Sequence, residues 1–235
     1  MDIFVVIPVY NEKSRVVSTV MSVLANSKNK VVVVDDGSSD GCDILLKDAF
    51  DKNKRVTLVK HDINQGKGMA MKTGAKVAWK NGAEAVIFID ADGQHDPKLI
   101  SKFVDSLKSG DEVVIGVRIN KGQMTMIRKF GNWMIRVVLA ILYGQTIEDM
   151  LCGYRAMTKR AYSKVVWTSH RYGVETEMIC NMWKYGLNYR KIVVETIYAK
   201  KKERKRDCFT PVDGIKVLLL IPYWRWRNKS SLINL

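Results

Sequence analysis

Cysteine is scarce and scattered in this chain: Cys42, Cys152, Cys180 and Cys208 include no C-x-x-C pair. That spacing argues against a zinc framework and a disulfide scaffold, and suits thiols kept in a reducing compartment. Long apolar runs are also missing. A spanning helix needs ~20 apolar residues, but WMIRVVLAILYG is interrupted by Arg136 and ends at Gly144. The run from Val217 to Trp224 is short and holds Pro222. The opening MDIFVVIPVYNE has no basic stretch before its apolar residues, and Pro8 breaks them, so it does not read as a signal peptide. Internal repeats and low-complexity linkers are absent. Acidic residues number only 24 against 39 lysines and arginines, a formal net charge of +15. Such a balance attracts polyphosphate ligands, anionic membrane or nucleic acid, without choosing among them.

What is present suits one globular domain with a C-terminal extension: 235 residues, 47% hydrophobic and 27% charged. Apolar runs at 4–9, 31–36, 55–60, 85–90 and 112–117 alternate with stretches of helical spacing, such as Val16, Val20, Val23 and Leu24, residues 44–50 and residues 67–80. VVVVDD reads as a strand buried on both faces, and Pro97 is placed to open a helix. This order predicts a mostly parallel α/β sheet with ligands beyond the carboxyl ends of its strands. Helices are expected over 127–143 and 173–186 and a strand over 191–198, followed by the basic run KKKERKR and an apolar-aromatic segment from Val212 to Trp226.

Each predicted strand ends in polar residues. Tyr10, Asn11 and Glu12 follow the first, Asp35 and Asp36 close the second, Lys67 stands between Gly66 and Gly68 after the third, and FIDADGQHDP ends the fourth. If the last segment is extended, Asp90, Asp92 and Gln94 share one face. Two carboxylates and an amide oxygen suit Mg²⁺ or Mn²⁺, although acidic pairs are also common in solvated turns.

Taken in order, VVIPVYNE, VVVVDDGSSD, NQGKGMAMKTG and FIDADGQHDP resemble the family 2 glycosyltransferases of GT-A fold. VIGVR, LCGYRAMTKRAY and YGVETEMI are similar to the branch of dolichol-phosphate mannose synthases and other polyprenyl-phosphate sugar transferases. The resemblance covers residues 3–198 and implies a catalytic domain over 1–198, with 199–235 a basic loop and an amphipathic segment at the membrane surface. It implies that Pro8, Tyr10, Glu12 and Asp36 hold the nucleoside, and that Lys67, Asp90 and Ala91 also belong to the donor site. Asp90, Asp92 and Gln94 would hold the metal on the diphosphate, with Asp92 catalytic. Arg118 would reach a donor or acceptor phosphate, and Arg128 aligns with a basic residue on the lipid phosphate. Gly131 and Asn132 stand where the family often has a serine. KKKERKRDCFTPVDGIKVL replaces an arginine followed by a G-x-SKL-like stretch, with Lys202 and Arg204 as substitutes on the diphosphate or part of a solvated basic loop.

The implied reaction is inverting transfer of a hexose from GDP-mannose or UDP-glucose to a polyprenyl (dolichyl) phosphate. It would be carried out by a cytoplasmic enzyme peripheral to the membrane. A phosphate monoester with a second pKa near ~6 is already largely dianionic and needs no strong base. A sugar hydroxyl would need one, from Asp149, Glu175 or Glu177, of which Glu175 reads better as the partner of a nearby Lys or Arg. Residues 127–143 and 215–227 are expected at the bilayer, with Tyr223, Trp224 and Trp226 among headgroups and Arg225, Arg227 and Lys229 toward anionic lipid. His61 and His170 suggest no catalysis, and His95 reads as a turn histidine. Two rivals remain at this level: a family 2 transferase acting on a saccharide hydroxyl, and a basic nucleic-acid-binding protein, which would leave the strand-end carboxylates unexplained.

Overall fold

The computed structural model describes residues 1–118, 126–169, 173–195 and 211–227. Its first half runs β1 (Ile3–Val9), α1 (Val16–Asn26), β2 (Lys30–Asp35), α2 (Cys42–Phe50), β3 (Val56–Lys60), α3 (Lys67–Lys80), β4 (Ala85–Phe88), a tight helical turn at Pro97–Leu99 leading into α4 (Ile100–Lys108), and β5 (Val113–Arg118). The second half adds α5 (Met126–Tyr143), β6 (Arg155–Thr158), α6 (Lys159–Val165), α7 (Val174–Lys184), β7 (Tyr189–Val194) and α8 (Pro211–Trp226). The expected alternation is therefore present. β6 and α6 escape a sequence reading because RAMT has neither alternation nor β-branched enrichment. It becomes a strand by fitting between β4 and β5.

The seven strands are ordered β3-β2-β1-β4-β6-β5-β7. β6 runs antiparallel to β4 and β5, and every other pairing is parallel. The chain winds outward from β1 through β2 to β3, then returns to β1's other side with β4. That reversal opens a crevice at the carboxyl ends of β1 and β4, where α/β sheets bind ligands.

Two cores flank the sheet. α1, α2 and α4 cover one face through residues such as Val16, Val20, Leu46, Phe50 and Phe103. α3 and α5 to α8 cover the other through Ala75, Leu139, Trp167, Met178 and Trp224. Each fully buried large apolar side chain contributes about 1.5–3 kcal/mol. α8 buries Val217, Ile221 and Trp224 in this second core, so it packs with the catalytic fold even though it follows the expected boundary at 198. Trp224 is only 1% exposed, which corrects its expected place among lipid headgroups. Arg225 is drawn inward as well, donating to the Leu142 carbonyl at 3.2 Å and lying over the Tyr143 ring. Among the described residues no helix is long and apolar enough to cross a membrane.

Candidate active site

The loops after β1 and β2 are knitted together. Pro8 pairs in register with Val34, and Tyr10 beyond it is exposed. The Asn11 N–H donates to Ser38 Oγ at 3.0 Å, and its side-chain oxygen accepts the Ser39 N–H at 2.9 Å. The Glu12 carbonyl accepts the N–H groups of Arg15 and Val16 at 3.0 and 2.9 Å and so starts α1.

Asp36, 2% exposed, is the anchor of the next loop. It accepts the N–H groups of Gln65 and Gly66 at 2.9 and 2.7 Å and lies 2.8 Å from His61 Nδ1. His61 Nε2 in turn lies 2.9 Å from Thr73 Oγ1. Through both oxygens Asp36 ties the loop at residues 65 and 66 to the end of β2. His61, to which the sequence suggested no part, fixes that carboxylate.

The centre of the crevice is Asp90. Its Oδ1 lies 2.7 Å from Lys67 Nζ, and its Oδ2 lies 3.5 Å from His95 Nε2. Burial opposes ionisation, yet Lys67 and His95 hold this carboxyl well below the usual carboxylate range. Lys67 also meets Glu175 Oε1 at 2.8 Å. Burial would lower the Lys67 pKa, but Asp90 and Glu175 raise it. The carbonyl of Gly68, in the first turn of α3, accepts the Trp167 indole N–H at 3.0 Å, which fixes the start of the helix carrying Lys67.

The DADG segment corrects one expectation. β4 stops at Phe88, so residues 90–94 are not extended. Gly93 has φ +69°, and Asp92 Oδ1 accepts the Gln94 N–H at 3.1 Å. Asp90, Asp92 and Gln94 therefore follow a turn, and alternation does not place them on one face. Ala91 is buried, its carbonyl accepting Thr19 Oγ1 at 3.0 Å.

Gly153 is a site residue that the sequence reading passed over. A Cβ there would meet Asp90, 2.7 Å from Oδ1 and closer still to Oδ2, so the C-G-Y-R segment leaves room for this carboxylate. Arg155 holds that segment from beneath. It is buried and donates to the carbonyls of Cys152, Glu175 and Met150 at 2.9, 2.6 and 2.5 Å.

At the end of β5, Arg118 grips Asp149 with Nε at 2.5 Å and a terminal nitrogen at 3.0 Å. Burial works against its charge, but Asp149 raises its pKa. Glu177 has no solvent exposure. It accepts the N–H and hydroxyl of both Thr168 and Ser169, between 2.6 and 3.0 Å, and an ion pair from Arg227 at 3.0 Å. Arg227 therefore faces the core, a second correction to the lipid-facing expectation. Glu175 behaves as expected, as the partner of a lysine. Arg128 lies in α5 with its side chain outside the described residues, as are Lys202, Arg204, Lys229 and His170.

Among the described residues no group of three or more His, Cys, Asp or Glu is gathered tightly enough to enclose a metal ion. Mg²⁺ and Mn²⁺ sites on phosphates need fewer: one or two carboxylates, with substrate oxygens and water completing the shell. Asp90 and Asp92 supply hard oxygen donors, and the absence of a side chain at Gly153 keeps the space beside Asp90. The donor set fits such a cation.

The chain resembles known proteins in sequence and in fold. The chain is 32% identical over 224 residues to the uncharacterized protein MJ1222 of Methanocaldococcus jannaschii, covering 92% of this chain and 89% of that one. It is 29% identical over 217 residues to the UDP-N-acetylglucosamine–dolichyl-phosphate N-acetylglucosaminyltransferase of Methanococcus voltae, covering 84% and 86%. In fold it matches glucosyl-3-phosphoglycerate synthase of Mycobacterium tuberculosis, solved with Mn²⁺, UDP and phosphoglyceric acid. That match has a TM-score of 0.72 at 17% identity, over 97% of this chain and 80% of that one. The description of glycosyl transferase family 2 fits residues 4–167, which include Lys67, Asp90, Gly153 and Arg155, and the chain belongs to that family.

Proposed function

We propose that this glycosyltransferase moves a hexose from a nucleoside diphosphate sugar, GDP-mannose or UDP-glucose, to a polyprenyl phosphate by in-line displacement with inversion. The observation that carries the acceptor is the state of the carboxylates offered as general bases. Asp149 is gripped by Arg118, Glu175 by Lys67, and Glu177 is buried among five donors. A hydroxyl acceptor needs a base within reach, whereas a phosphate arrives ionised. The acceptor named for the M. voltae relative is also a dolichyl phosphate.

Pro8, Tyr10 and Glu12 flank the nucleoside, and Asp36 braces the loop at Gln65 and Gly66. Lys67 and Arg118 supply positive charge at the diphosphate and at the incoming phosphate. Mg²⁺ or Mn²⁺, when bound at Asp90 and Asp92 with Gln94 beside them, would neutralise charge growing on the leaving nucleoside diphosphate. Mn²⁺ and UDP bound in the M. tuberculosis enzyme support that choice of cofactor.

The acceptor's lipid implies peripheral contact with the membrane, at its cytoplasmic face. Exposed Trp133, Val137 and Ile141 recur every fourth residue on α5, as do Ile215, Leu219 and Tyr223 on α8, with Trp226 beyond. Such stripes beside basic residues suit an anionic lipid surface.

The test incubates the purified chain and Mn²⁺ with labelled GDP-mannose, UDP-glucose or UDP-N-acetylglucosamine, with and without polyprenyl phosphate. Label entering the organic phase from one donor, and lost in Asp92→Ala, is the expected result. Label transferred only to a saccharide would overturn the acceptor. Transfer from UDP-N-acetylglucosamine alone would overturn the hexose.

A further inference from the structure

Glu175 lies outside the DADG turn, yet its side chain shares a single ammonium with Asp90. Lys67 Nζ lies 2.7 Å from Asp90 Oδ1 and 2.8 Å from Glu175 Oε1. Both anchors are fixed. The Glu175 side chain is largely buried in the first turn of α7, where the helix dipole favours a carboxylate. Its backbone carbonyl is held by Arg155 at 2.6 Å. Lys67 opens α3, whose first turn is tied to Trp167.

We propose that Glu175 is a positioning residue that sets the divalent-cation affinity of the Asp90 site by dividing the charge of Lys67. This inference rests on the metal reading above. One ammonium between two carboxylates leaves a negative balance at Asp90, where a divalent cation docks. With a cation bound at Asp90, Lys67 would lose part of its attraction there, and Glu175 would keep the ammonium paired. Without the Glu175 charge, Lys67 neutralises Asp90 alone, so a cation must displace it from its one remaining partner. Interactions between charges a few ångströms apart in a partly buried site are large enough to change affinity about tenfold.

Two variants should therefore move in opposite directions. Mn²⁺ binding to the full, nucleotide-free chain is read by electron paramagnetic resonance titration, with thermal denaturation as the folding control. Glu175→Gln is expected to weaken Mn²⁺ binding about tenfold. Lys67→Met, which removes the competing cation, is expected to tighten it by a similar factor, and the double variant to return toward wild type. Equal affinity in Glu175→Gln and wild type, or shifts of the same sign in both single variants, would overturn the inference alone. If wild type takes up no Mn²⁺ even with UDP or GDP present, the metal reading fails and this inference with it. Should Glu175→Gln not fold, Lys67→Met decides: unchanged or weaker Mn²⁺ binding overturns the proposal.

Discussion

Arg227 places its guanidinium 3.0 Å from the carboxylate of Glu177, an ion pair between side chains 6% and 0% exposed. The pair joins the end of α8 to α7, and Arg227 also donates to Thr168 Oγ1 at 2.7 Å. Breaking a buried pair from one side leaves an uncompensated charge, at a cost of about 3–5 kcal/mol. Arg227→Met is expected to lose that much stability in urea denaturation, and the double variant with Glu177→Gln to recover part of it. Turnover per folded molecule should survive Glu177→Gln, since this carboxylate is structural.

Gly153→Ala places a methyl group against Asp90. The carboxylate must shift, and misplacing a catalytic group by about 1 Å can cost about 10²-fold in rate. Sugar transfer is expected to fall by that order while the melting temperature changes little. Retained activity would show that Asp90 has no fixed position to keep.

Asp149 acts through Arg118. Asp149→Asn keeps the shape but weakens the bidentate pair, so kcat/KM for the phosphate acceptor should drop about tenfold or more, as for loss of a charge-assisted hydrogen bond. The pH–rate profile should keep its shape. Disappearance of an acidic limb would instead mark Asp149 as a general base.

The stripes on α5 and α8 make a membrane prediction that leaves the core untouched. Ile141 and Leu219 are 75% and 74% exposed, so Ile141→Glu with Leu219→Glu should leave folding intact. Flotation on vesicles containing anionic lipid is expected to fall about tenfold or more, given about 1.5–3 kcal/mol for each such side chain transferred from water. Undiminished flotation would place membrane contact elsewhere.

Asp111 provides an acid-sensitive lock between α4 and β7. Burial favours its neutral form, but Ser106 Oγ at 2.7 Å and Arg190 Nε at 2.6 Å hold its pKa below normal. A depressed native pKa contributes stability that is present above the unfolded value near ~4 and lost as pH falls below it. Asp111→Asn should therefore flatten the decline of stability in acid, measured by urea titration from neutral pH downward.

The succession of strands and helices in the first half, and the polar residues at the strand ends, were legible from residues 3–118 alone, whereas the spatial order of the strands was not. β-Branched runs such as VVVVDD suit strands covered on both faces, as parallel layers are, and polar residues fall at strand ends because that is where the chain leaves the core. The position of Lys67 between two glycines was visible as well. Its partners were not, because Asp90 and Glu175 lie 23 and 108 residues away in the chain and meet it only when α3 and α7 pack on the same face of the sheet. Tertiary packing decided the rest. It turned Trp224, Arg225 and Arg227 inward, because α8 has to cover the apolar faces of α5 and α7. It made RAMT a strand, since the gap between β4 and β5 required one. It also gave Gly153 its meaning, because a missing side chain acquires a function only once the carboxylate that needs its space is beside it.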